Sequence, residues 1–186
     1  MCVKLIETIL DFDKQLFLFL NGFHTPWLDA AMLFFSKSKV WIPLYAVIVF
    51  YLFRNFGLKG GIRFIALIVL SVSLSDFVTS GVMKPYFQRL RPCHDFSNEM
   101  TLVGNCGGKY GFVSSHAANS FALFYSIFKI FGKKHFGTYF ILGWAIIVSY
   151  SRIYLGVHFP MDVFLGSTIG ILISTFIFEL NKSITK

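Results

Sequence analysis

Charge is what this sequence lacks. Only 14% of its 186 residues are Asp, Glu, Lys or Arg, against about a quarter in a soluble domain. That deficit argues against a water-surrounded globule. Carboxylates are the scarcer sign, nine against 17 lysines and arginines. No carboxylate cluster suits Mg²⁺, so neither a metal nor any other cofactor is expected. There is no basic low-complexity arm and no nucleic-acid motif, so the net charge of +8 does not point to nucleic acid. Anionic lipid or an anionic substrate remains. No internal repeat of the transporter kind is visible. No cleavable signal peptide is expected either, because Glu7, Asp11 and Asp13 break the N-terminal apolar run and no small-residue cleavage site follows.

What is present is hydrocarbon. Hydrophobic residues make up 55%, 24 of them phenylalanine, and the mean hydropathy is +0.67. The fold expected is all-α: one integral membrane helical bundle over residues 1–186. Five runs of about the length of a bilayer span lie at 40–57, 62–83, 115–132, 136–154 and 160–181, forming the bundle of 40–181. Residues 1–38 supply N-terminal helices. Over 3–20, Lys4, Glu7, Asp11 and Lys14 mark one face and Leu5, Ile6, Ile9, Leu10, Leu16, Phe17 and Leu20 the other, which predicts an amphipathic interfacial helix. Five to six spans are expected in all, a sixth at the N-terminus being the costlier alternative because it would strand Asp11 and Asp13 in hydrocarbon at about 3 kcal/mol each. Residues 27–36 form a short apolar piece.

The one long polar stretch is 84–113, and long loops in compact proteins are often functional. The turns around 54–63 and 129–135, and the C-terminus with Lys182 and Lys186, are basic and read as cytoplasmic. The long loop and the 155–159 connection then share the opposite face.

Three short patterns fall at that face. The first is Lys84, six residues, then Arg91-Pro92. The second is Ser114-Ser115-His116 at the start of the third span. The third is Ser151-Arg152, five residues, His158, three residues, Asp162. Together they offer three cations, two histidines and a helix N-terminus. Arginine forks and free helix N–H groups both suit phosphate oxygens. His158 and Asp162 are four apart, which on a helix is one face, and a carboxylate beside an imidazole sets its tautomer.

These patterns resemble the signature of the type 2 phosphatidic acid phosphatase superfamily, shared with vanadium haloperoxidases: K-x6-R-P, P-S-G-H and S-R-x5-H-x3-D. The first and third match at every fixed position and in order. In the second, Val113 replaces proline and Ser115 replaces glycine. The resemblance covers about 40–181. It implies that His158 is the nucleophile, that Asp162 orients it, and that His116 is the acid at the leaving oxygen. Lys84, Arg91 and Arg152 would bind phosphate, with Ser114 and the Ser115 N–H completing the cradle. It implies a metal-independent lipid phosphatase working through a phosphohistidine, in a bacterial inner membrane with its site facing the periplasm. The expected partner is a lipid phosphate held in the bilayer, with no obligate protein partner. The first expectation for that lipid is undecaprenyl diphosphate, followed by the lipid A phosphates, then phosphatidylglycerophosphate and phosphatidic acid. A lipid phosphotransferase, or an inactive lipid-binding or channel protein, would carry the same motifs.

Other residues are open at this level. Cys93 and Cys106, both in the long loop, suit a disulfide in an oxidising compartment, or with His94 part of a metal site. Cys2 reads as a free thiol. Asp76, within the second span, is either a partner to a site residue or a polar link between helices. Arg89 reads as a solvated loop charge or a substrate contact, and His24, His94 and His135 as structural. Gly166 and Gly170 predict close helix packing.

Overall fold

The computed structural model describes residues 2–96 and 98–184, with side chains from Lys4 onward. The readings of the Cys2 thiol and of Lys186 lie outside the described residues. In hydrocarbon a helix satisfies every backbone group internally. The chain is accordingly 80% helical, with no strand among the described residues. The elements are α1 (Cys2–Asn21), α2 (Pro26–Ser36), a 3₁₀ turn (Ser38–Trp41) and α3 (Ile42–Asp76). A π-helical stretch (Phe77–Met83) runs on into α4 (Lys84–Phe87). Then come α5 (Pro92–Asp95), α6 (Ser115–Phe131), α7 (Phe136–Tyr154) and α8 (Pro160–Ile184).

Among the described residues, three stretches are long and apolar enough to cross a membrane: Ser38–Phe87, Phe136–Tyr154 and Pro160–Ile184. The first is folded in two. Gly57 has φ 64° and ψ −172°, a backbone conformation that a Cβ would strain, and the helix reverses there. The rings of Phe56 and Phe64 meet at 4.6 Å across the reversal. The two arms of α3 then pack against α6 and α7 through one cluster that includes Leu52, Ile68, Leu123, Trp144 and Val148.

α6 is the central column. It packs against α8, α7 and α3, and Ala117, Ala118 and Ala122 along it are wholly buried. Its seam with α8 is closed by the glycine pair noted above. A Cβ on Gly166 would run into the Ser114 carbonyl, and one on Gly170 into that of Ala118. Close backbone approach of this kind is how helices pack where the surrounding lipid is as apolar as they are.

The two ends of the bundle differ. At one end Arg63 donates to Asn181, Lys129 pairs with Glu179, and Tyr51 bonds His135. This gathers the basic turns and the start of the C-terminal segment. At the other end the long loop folds over the 155–159 connection, with Val103 N donating to the Leu155 carbonyl. Cys93 and Cys106 are joined there in a disulfide, with Cα atoms 5.9 Å apart. His94 lies beside them, but two sulfurs bonded to each other leave one imidazole and no ligand set.

α1 departs from the amphipathic reading in one respect. Its apolar residues Leu5, Ile6, Ile9 and Leu10 are exposed, as a membrane-facing side requires. The face turned to the protein, however, is Asp13, Phe17 and Asn21, spaced four apart and all buried. Asn21 spends its amide on the Thr101 and Tyr154 carbonyls, and Thr101 N donates back to it. The hydrophobic periodicity marks mainly the lipid side, whereas the protein side sets Phe17 between two buried polar groups, Asp13 and Asn21.

Candidate active site

The three sequence patterns converge. Lys84, Arg91, Ser115, His116, Arg152 and His158 line one cavity of about 650 Å³. Lys84 arrives where the helix of the second α3 arm ends, just before the loop. Pro92 starts the short α5 and leaves Arg91 extended before it. Arg91 is steadied by backbone carbonyls: Nε donates to Tyr110 and Nη1 to Cys106, both at 3.3 Å. Arg152 stands in the last turn of α7 and donates through Nη1 to Ser36 Oγ on α2. Its Nε is buried without a partner, a free donor beside the cavity.

His158 is buried, 1% exposed. It does not share a helix with Asp162, because Pro160 opens α8 two residues later. The carboxylate instead reaches back from the first turn. Asp162 Oδ2 accepts from Phe159 N at 3.0 Å and lies 3.4 Å from His158 Nδ1. Nδ1 therefore faces the carboxylate, which leaves Nε2 as the remaining ring nitrogen. Burial drives the His158 imidazole well below the usual histidine range. The cations Arg91, Arg152 and Lys84 push the same way, and a hydrogen bond with the Gly111 backbone opposes them. The ring is thus held neutral, as a nitrogen nucleophile requires.

The serines divide the work differently from the family pattern. Ser114 is fully buried and does not reach the cavity wall. Its Oγ caps α6 by accepting from Ala117 N at 3.4 Å, and its N–H donates to the Asp162 carbonyl. Ser114 therefore supports the cradle instead of forming its surface. Ser115 does line the cavity, and its hydroxyl accepts from Lys84 Nζ at 2.6 Å and pairs with Ser80 Oγ at 2.7 Å. A glycine at 115 would leave that lysine without this tether.

Two residues behind the site hold places that the sequence reading did not give them. Arg89 is neither a solvated charge nor a cavity residue. Its Nη1 donates to Asp162 Oδ1 at 2.8 Å, its Nη2 to Asp13 Oδ2 at 2.7 Å, and its guanidinium lies 4.0 Å over the Phe159 ring. Asp13, on α1, also accepts from Met161 N at 2.8 Å. A buried chain of charge thus runs from α1 through Arg89 to the carboxylate behind His158. The i, i+4, i+8 spacing of Asp13, Phe17 and Asn21 was the signal available for it. His24 belongs to a separate structural knot in which Asp29 Oδ1 accepts from Tyr154 and faces His24 Nδ1 at 2.9 Å.

Below the charged end the cavity is hydrocarbon, walled by Leu52, Ile65, Ile68, Val72 and Val148 among others. Val49 and Val69, one on each arm of α3, line it and are also exposed to the outside. The space between the arms therefore opens sideways.

Residues 63–186 match the PAP2 superfamily. The chain belongs to that superfamily. It is 38% identical over 170 residues to a Lipid A 4'-phosphatase of Bacteroides thetaiotaomicron, spanning 89% of this chain and 75% of that protein. It is 33% identical over 180 residues to an Undecaprenyl-diphosphatase of Sulfolobus acidocaldarius, spanning 92% and 81% respectively. The crystal structure of Aquifex aeolicus LpxE superposes with a TM-score of 0.72 at 25% identity, over 89% of this chain and 93% of that one. The PAP2 chain described here is an integral membrane protein and a phosphatase. The family match begins at residue 63, so α1, α2 and the first arm of α3 lie outside it, although Asp13 and Ser36 touch the site.

Proposed function

We propose that this PAP2 protein removes a phosphate monoester from the head group of a lipid of the lipid A type. The carrying observation is continuity: three cations and two histidines stand at one end of a cavity whose far part is walled mostly by apolar side chains and opens sideways. Such a space fits a molecule with a phosphate at one end and hydrocarbon at the other, taken directly from the bilayer. The preference for lipid A over undecaprenyl diphosphate, the first expectation from sequence, rests on relatives at 38% and 33% identity respectively.

The reaction proceeds in two displacements. Lys84, Arg91 and Arg152 hold the phosphate oxygens and offset the charge that spreads over them in the transition state. The N–H groups of Ser115 and His116, at the first turn of α6, have no acceptor within their own helix and add to that cradle. His158 Nε2 attacks phosphorus. The P–O ester bond breaks as the N–P bond forms, and protonated His116 gives its proton to the departing sugar oxygen. Asp162 stabilises the positive charge on the His158 ring. His116, now neutral, takes a proton from water. The water oxygen attacks phosphorus, the N–P bond breaks, and inorganic phosphate leaves. No residue in this sequence of steps requires a metal. The site would face the side opposite the basic turns, the periplasm of a bacterial inner membrane.

The test is phosphate release by purified protein from lipid A, undecaprenyl diphosphate, phosphatidylglycerophosphate and phosphatidic acid. Lipid A should be cleaved fastest, and His158→Ala should lose about a thousandfold or more. Release that survives in His158→Ala would refute the mechanism, and faster cleavage of the diphosphate would refute the substrate.

A further inference from the structure

Asp76 takes no part in the chemistry above, yet it lines the same cavity as His116 and His158. Its Oδ1 accepts from Asn119 Nδ2 at 2.9 Å. Asn119 follows His116 by three residues on α6, which sets the pair about 4.5 Å, one helical turn, deeper than the phosphate end. Further in, the wall is apolar. The cavity thus has three levels: cations, then a carboxylate with an amide, then hydrocarbon. A lipid phosphate has the same three levels, namely the phosphate, the group that carries it, and the chains.

Both open valences at the middle level are acceptors. One is the second oxygen of Asp76. The other is Asn119 Oδ1, which is enclosed without a partner. Lys84, two turns along from Asp76, is engaged with Ser115 instead. Asp76 is exposed and not packed among side chains, and at membrane depth a carboxylate bonded only to a neutral amide is costly unless a donor completes it.

We propose that Asp76 and Asn119 form a specificity subsite that accepts a hydroxyl or amide N–H from the group carrying the phosphate, and that excludes diphosphates. This rests on the monoester reading above. In a phosphorylated N-acyl amino sugar, hydroxyl and amide donors lie within a few ångströms of phosphorus and meet acceptors at this level. In a polyprenyl diphosphate that place is taken by the second phosphate. An anion against a carboxylate in a low-dielectric cavity is repelled, and no donor replaces the lost bond.

The experiment compares wild type and Asp76→Asn on lipid A and undecaprenyl diphosphate in the same micelles. Asparagine keeps the shape and can still pair with Asn119, but removes the charge. The ratio of kcat/KM for diphosphate over lipid A should rise about tenfold or more. Asp76→Glu, which keeps the charge, should leave the ratio within about threefold. An unchanged ratio in Asp76→Asn overturns the subsite. A second measurement needs no variant. An N-acyl glucosamine phosphate should inhibit wild type about tenfold more tightly than an alkyl phosphate of equal chain length, and equal inhibition also overturns the subsite. The two failures are distinct: wild type preferring the diphosphate sinks the monoester reading, whereas an unmoved ratio in a lipid A-preferring enzyme sinks only the subsite.

Discussion

At the scale of single residues, the site works by tying its polar side chains to fixed partners. Ser115 shows this most directly, because its hydroxyl holds Lys84 at 2.6 Å where the family has a glycine. Ser115→Ala should therefore lower kcat/KM by about tenfold, mainly through KM, since a lysine without its tether must be ordered by the substrate. A rise in kcat/KM would mean that the hydroxyl is a handicap. His158 carries a second expectation. Its proton affinity is depressed by burial and by three cations. An imidazole of this kind charges only well below the ordinary histidine range, so it stays neutral as pH falls from about 8 to about 6. Nitrogen-15 NMR of the free enzyme should show no protonation of His158 across that interval, and titration near the usual midpoint would contradict the geometry. That Lys84, Arg91, His116, Arg152 and His158 gather round one cavity was legible because fixed spacing carried them. What spacing could not show is where a hydroxyl points. Ser114 looked like a phosphate ligand and is a helix cap, since capping depends on the backbone at Ala117.

At the scale of elements, α1 is coupled to the chemistry. The chain from Asp13 through Arg89 to Asp162 is buried at both acids, with Asp13 3% exposed and Asp162 wholly buried. Removing one member leaves the others charged and unpaired, which is more damaging than losing a surface pair. Arg89→Ala should cut kcat by about a hundredfold with a small change in KM, because it frees the carboxylate behind His158 without touching the phosphate ligands. Asp13→Asn, which keeps the bond acceptor and loses the charge, should fall between that and wild type. Arg89→Lys should restore part of kcat. A change confined to KM, or to yield of folded protein, would assign Arg89 to packing alone. The helices themselves were largely readable from apolar runs. The reversal at Gly57 falls within the turn expected at 54–63, and the glycine seam of α8 was visible as a repeat of small residues. The inward face of α1 was not, because periodicity there reports mainly lipid contact, and the buried polar residues Asp13 and Asn21 leave no hydrophobic trace.

At the scale of the whole molecule, the proposed function places the phosphate and its chains at different depths, and makes the opening between the arms of α3 the expected route for substrate. Val49 and Val69 stand at that opening, at 37% and 56% exposure, while also lining the cavity. Both already face outward, so a larger side chain at either position meets lipid and not a packed core, and the cost of overpacking is avoided. Val69→Trp should narrow the gap and lower kcat/KM for a long-chain lipid phosphate by about tenfold, whereas a short, water-soluble phosphate ester, which has no chains to lodge between the arms, should be cleaved as by wild type. The two substrates share every chemical step, so a loss restricted to the long-chain one isolates passage from catalysis. Equal loss on both would mean that Val69→Trp disturbs the bundle. No loss on either would mean that the chains leave the cavity elsewhere, and that the gap between the arms is only a surface groove.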